Sequence, residues 1–140
     1  MKIAFSFIWL LISISTVAQQ TKQQDIKHLI ELIQIKPTMQ NMVQQGIEYY
    51  QKQKPAVPQQ VWKDIKSSID YQPYLNLVEQ IFDENYTQAE IKNLIAEAKI
   101  NPKKPPLFKN IVQQKLYDAG KEFGTNYGNF VTQTLINKGY

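Results

Sequence analysis

The sequence predicts an all-α fold, a small single-domain helical bundle of five or six helices with a long C-terminal helix. Three observations carry that prediction. Apolar residues recur at three- and four-residue intervals through almost all of 25–135, and no segment shows the strict alternation of a strand. Proline-rich stretches, KPAVP at 54–58 and INPKKPP at 100–106, interrupt the pattern where an α-helix cannot continue. TQAE at 87–90 spells a capping box, with Thr87 and Glu90 each able to satisfy a backbone N–H of the other.

The chain opens with MKIAFSFIWLLISISTVAQQ, in which Lys2 precedes an apolar run and Thr16 and Ala18 provide small residues at a cleavage position. This reads as a secretory signal peptide over 1–18. The run is short of the roughly 20 residues needed to cross a bilayer, and no later stretch reaches that length. The expectation is an exported chain, periplasmic or secreted, whose single all-helical domain occupies 19–140.

In the first helix Ile26, Leu29, Ile30 and Ile33 form one stripe, which Pro37 is expected to end. Thr38 can cap a second helix carrying Met39, Met42, Val43, Gly46, Ile47 and Tyr50. After KPAVP, Pro58 suits the first turn of a short helix with Val61, Trp62, Ile65 and Ile69 facing inward. Asp70 can cap a fourth helix bearing Tyr74, Leu75, Val78, Ile81 and Phe82, with Pro73 tolerated in its first turn. Tyr86 and Ile91 hold the staple positions around the capping box, and Ile91, Leu94, Ile95 and Ala98 give the buried face of the fifth helix. From Pro106 a last helix can run to about Asn137, its stripe passing through Phe108, Val112, Leu116, Ala119, Phe123, Tyr127 and Phe130.

Composition closes several chemistries. Cysteine is absent, so disulfides, thiolate nucleophiles and metal-thiolate sites are excluded. The formal charge is +4, and every basic residue except His28 is a lysine. Without arginine the planar fork used for phosphate and guanine is missing, which argues against nucleic acid as a partner. His28 is the one histidine and sits between Asp25 and Glu31 on the polar side of its helix. A catalytic triad or a zinc site would have to be built on it alone. Asp83, Glu84 and Asn85 lack the alternating ligands and glycine of a calcium loop. A carboxylate hydrolase would need two of Asp83, Glu84, Glu90 and Glu97 to converge. The expectation is therefore no catalytic, cofactor or metal site.

Two surface features invite binding roles. Gly120, Gly124 and Gly128 fall four apart on one side of the last helix, at about 1 kcal/mol each relative to alanine. They offer a helix-packing or association face, or else a break near Gly124. Lys99, Lys103, Lys104 and Lys109 cluster around the proline linker and offer contact with an anionic surface, against the plainer reading of a solubilising loop.

Residues 81–124 resemble the bacterial domain of unknown function 2059 family, through Tyr86, Thr87, Glu90 and Ile91, then Leu94 and Ile95, then the stop at Pro102. Where that family has an aromatic pair this chain has Glu97 and Ala98, and its Ser-Pro-x-Gly turn is replaced by Asn-Pro-Lys-Lys. The resemblance implies an exported, all-helical envelope protein and carries over no catalytic residue. The function expected is a non-catalytic interaction module for another envelope protein. The alternative is a carrier of an apolar ligand or lipid, with Met39, Tyr50, Trp62 and Phe82 lining a cavity.

Overall fold

The computed structural model describes residues 21–102 and 104–140; the expected signal peptide and Lys103 lie outside the described residues. Residues 21–32 are helical (α1). They are followed by α2 (Ile35–Gln53), α3 (Gln59–Ser67), α4 (Gln72–Asn85), α5 (Gln88–Ile100) and the long α6 (Asn110–Asn137). No described residue lies in a strand. The all-α class and the long last helix are those the periodicity predicts.

Helix boundaries follow local chemistry, with four shifts from the sequence reading. The first break comes at Ile33 and Gln34 rather than at Pro37. A proline ring inside a helix collides with the carbonyl four residues back, here that of Ile33, so a straight, unbroken helix is disfavoured at that point. The chain instead turns through Gln34, which takes the left-handed conformation at φ 57° and ψ 40°. Pro37 then sits in the first turn of α2, where a missing N–H is no loss. Thr38 does not cap; its N–H already bonds the Gln34 carbonyl at 3.0 Å.

Pro58, at φ −59° and ψ 145°, occupies the position before α3 rather than its first turn. Buried Val57 pins the linker that precedes it. Asp70, expected to cap α4, stands one residue before the cap position, which falls on Tyr71; its Oδ1 accepts from the Gln72 N–H at 2.9 Å, and the Tyr71 carbonyl takes the first helical bond from the Leu75 N–H at 3.0 Å. The capping box of α5 is complete: Glu90 Oε2 accepts from the Thr87 N–H at 2.7 Å, and Thr87 Oγ1 accepts from the Glu90 N–H at 3.3 Å.

The fourth shift is at α6, which begins at Asn110 and not at Pro106. Pro105 and Pro106 hold the residues before them extended, and extended backbone persists through Lys109 at φ −53° and ψ 142°. Its C-terminus closes in a Schellman motif. The Tyr140 N–H reaches the Leu135 carbonyl at 2.9 Å and the Gly139 N–H the Ile136 carbonyl at 3.0 Å. Gly139 supplies the φ of 83° that this closure requires.

The helices divide into two compact units, each assembled from separate stretches of chain. One takes the described residues up to Ile33 together with Glu79–Leu107. Its buried side chains include Ile26, Leu29 and Ile30 of α1, Ile81 and Phe82 of α4, and Ile91, Leu94, Ile95 and Ala98 of α5. Phe82 stacks on Tyr86 with centroids 5.9 Å apart. The Lys22 ammonium donates to the Asp83 carbonyl at 2.6 Å and lies 2.8 Å from Asp83 Oδ1. Gln88 Nε2 donates to Asp25 Oδ2, a second polar tie to α1.

The other unit joins Gln34–Val78 to Phe108–Tyr140. Its core gathers Val43 and Ile47 of α2, Val57, then Val61, Trp62 and Ile65 of α3, and Val131 and Leu135 of α6. Tyr50, Ile69, Tyr71, Phe123 and Tyr127 pack around that cluster. In the last turns of α6 the buried row runs through Val131 and Leu135, whereas Phe130 is exposed. Steps of four from Tyr127, not the step of three to Phe130, follow the core there.

Candidate functional site: an apolar groove

The α3–α4 connection, the start of α4 and one side of α6 enclose an open groove of about 340 Å³ in the second unit. Its walls are mainly apolar and aromatic, with Tyr74 and Leu77 on α4 facing Phe123, Tyr127 and Phe130 on α6. Asp70, Glu122 and Asn126 supply the polar rim. Spacing explains the α6 wall: residues 119, 123, 127 and 130 recur at helical period, so one face serves both core and groove.

Ring packing holds the aromatic walls. Tyr71 stacks on Phe123 at 6.0 Å with planes 23° apart, and Tyr74 tilts against the same ring at 5.5 Å and 58°. Tyr127 is fixed from the far side. Its hydroxyl donates to the Val43 carbonyl at 3.2 Å, and its ring lies so close to Gly46 that a Cβ there would fall 2.9 Å from Cε1. Gly46 is therefore the glycine whose missing side chain the packing requires.

These tyrosines are held protonated. Burial raises the Tyr71 and Tyr74 hydroxyls above their ordinary value of 10.0. Tyr127 is pushed up to about 12, first by burial and then by the neighbouring Tyr50 and Tyr71 hydroxyls. A neutral hydroxyl can donate and accept hydrogen bonds, but it is no base at neutral pH. The groove offers shape, apolar area and ring faces rather than reactive charge.

A second open groove of about 480 Å³ is lined by Ile35, Met39, Met42, Leu116, Tyr117 and Gly120 among others. Tyr74 borders both grooves. Met42, expected inward, is 51% exposed and belongs to this surface.

The glycine row is distributed among three environments. A Cβ at Gly120 would meet the Tyr74 hydroxyl at 3.9 Å, and one at Gly128 the Tyr50 hydroxyl at 3.4 Å. One at Gly124 would meet nothing within 4 Å. No backbone approaches the row at Gly124, and α6 runs unbroken through all three positions. Lys99, Lys104 and Lys109 are exposed, Lys99 and Lys104 in the first unit and Lys109 in the second. His28 is exposed on α1.

The carboxylates are spread over different tasks. Asp83 meets Lys22, Glu84 Oε1 accepts from Gln80 Nε2 at 2.7 Å, Glu90 completes the α5 cap, and Glu97 is exposed. Among the described residues no three of His, Asp and Glu gather closely enough to hold a metal ion. Trp62 and Phe82 are 2% and 0% exposed and fill the interiors of their units, so they line neither groove; Met39 does border the second. No family model, curated protein or solved structure matches the chain.

Proposed function

We propose that this chain is an exported, non-catalytic binding module whose α4–α6 groove takes an apolar segment of another envelope protein. The carrying observation is the groove itself, about 340 Å³ and walled by Tyr74, Leu77, Phe123, Tyr127 and Phe130. Pre-set aromatic walls limit the entropy lost on binding, and aromatic anchors dominate interface energetics. Export is supported by the signal-like run at 1–18, and a place in the domain of unknown function 2059 family by the motif from Tyr86 to Pro102. Among the described residues no helix is long and apolar enough to cross a membrane.

A photo-crosslinking residue at exposed Asn126, on the groove rim, tests this reading in cells. The expected outcome is a discrete protein adduct that Phe130→Asp abolishes while helical content is kept. Adducts that ignore Phe130→Asp would overturn it. A second reading, carriage of a small apolar ligand, is favoured by a volume at the lower end of the 300–1,000 Å³ typical of ligand sites. Native mass spectrometry of the exported protein separates the two, because a carrier retains a small-molecule adduct that a protein-docking groove lacks.

A further inference from the structure

We propose that the second groove, between α2 and α6, binds the free anion of a single-chain fatty acid, a site separate from the α4–α6 groove. Its walls come from two helices of one unit, Ile35, Met39 and Met42 on α2 and Leu116 and Tyr117 on α6, around about 480 Å³. That volume lies within the range of small-molecule sites. Met42 is 51% and Tyr117 67% exposed, so apolar area on both walls stands in water. Methionine side chains adapt to irregular apolar shapes. Gly120 lines the groove without a side chain: a Cβ there would meet the Tyr74 hydroxyl at 3.9 Å and nothing else across the groove within 4 Å.

Charge separates this groove from the first. Among the described residues that line it, Lys121 is the one charged side chain, whereas the first groove is rimmed by Asp70 and Glu122. Lys121 is exposed and takes part in no ion pair among the described residues; Asp118, one turn before it, accepts from Gln114 Nε2 at 3.1 and 3.2 Å through its two oxygens. An anion is therefore attracted to the second groove and repelled by the first. The apolar body that fits is short. From Ile35 to Met42 the α2 wall extends about 10 Å, some two turns. A peptide of that length is too short to hold a helix by itself, and an extended one would need partners for its N–H and C=O groups. Thr38, Lys121 and two tyrosine hydroxyls are the polar side-chain groups in the lining, and an alkyl chain asks for none. A carboxylate at Lys121 with its chain along the methionines uses both features.

The chain has three methionines, and Met39 and Met42 both line this groove. Isotope-labelled methionine methyl groups on the full chain therefore report its occupancy by NMR, while Met1 reports separately on the amino-terminal run. The probes are dodecanoate and dodecyltrimethylammonium, equal in chain length and opposite in charge, below micelle-forming concentrations. The expected result is a saturable shift of the Met39 and Met42 methyls, with dodecanoate binding at least about twofold tighter than the cation. Lys121→Gln should weaken dodecanoate by up to about fivefold and abolish the preference for the anion. Gly120→Leu, whose side chain enters the groove while helix propensity improves, should remove the dodecanoate response without lowering the melting temperature. Phe130→Asp, in the first groove, should leave the Met39 and Met42 responses unchanged, so an adduct in native mass spectra that survives it belongs to this groove. Met39 and Met42 methyls unmoved by dodecanoate, equal affinity for the two head groups, or a preference for the anion that persists in Lys121→Gln would each overturn the proposal.

Discussion

Gly46 and Gly124 are both helical glycines, and their surroundings give them opposite roles. At Gly46 a Cβ would press into the Tyr127 ring, which is held by its own hydrogen bond and cannot swing away freely. Gly46→Ala is expected to destabilise the chain by about 1–3 kcal/mol, the range for overpacking a filled site. At Gly124 the same change meets open space, so Gly124→Ala should stabilise by up to about 1 kcal/mol through helix propensity alone. Urea unfolding of the two variants checks both signs. Tyr127 makes a pH prediction. Its folded-state value of about 12 exceeds that of the unfolded chain, near 10, so the unfolded state releases the proton first. The stability it contributes is complete below pH 10 and lost as pH rises from 10 to 12. Tyr127→Phe should flatten that loss, leaving the part due to Tyr71 and Tyr74; an unchanged slope would contradict the assignment. Local periodicity shows which side of a helix is apolar, so the burial of Ile26, Leu29, Ile47, Trp62, Ile91 and Val112 was legible. The partnership of Gly46 with Tyr127 was not, because it joins residues far apart in the chain.

Helices begin and end where short-range chemistry dictates, and most of those signals can be read directly. The capping box of α5 and the proline breaks before α3 and after α5 stand where the sequence puts them. Thr87→Ala removes one half of a reciprocal cap and should cost about 1 kcal/mol, seen as a lower urea midpoint with unchanged slope. The break between α1 and α2 was harder to place. Pro37 announces an interruption, but the clash acts four residues earlier, so the turn falls on Gln34, which has no intrinsic preference for it. A non-glycine residue in the left-handed region carries strain of roughly 1–2 kcal/mol. Gln34→Gly is therefore expected to raise the melting temperature, with relief of strain outweighing the extra freedom of the unfolded chain. The groove escaped sequence reading for a related reason: Phe123 and Tyr127 fit a core stripe, and only the placement of α4 beside α6 leaves part of it open.

At the scale of the whole chain, composition constrains more than it specifies. Lacking cysteine and arginine, the protein relies on buried aliphatic and aromatic side chains, and its two units have separate interiors. Neither is a contiguous piece. A chain ending at Val78 would keep α1, α2 and α3 but lose Val131 and Leu135 from one core and all of Glu79–Leu107 from the other. Such a fragment should show no cooperative thermal transition by circular dichroism. A sharp transition with native-like helicity would show that α6 is dispensable.

That interleaving also sets an order of events for a chain emerging amino end first from a ribosome. The opening helix waits for partners that arrive only with Ile81 to Ala98, and α2 and α3 wait longer still, for Val131 and Leu135. Nothing can lock until most of the polypeptide is out. Late completion of this kind leaves prematurely terminated products open to proteases.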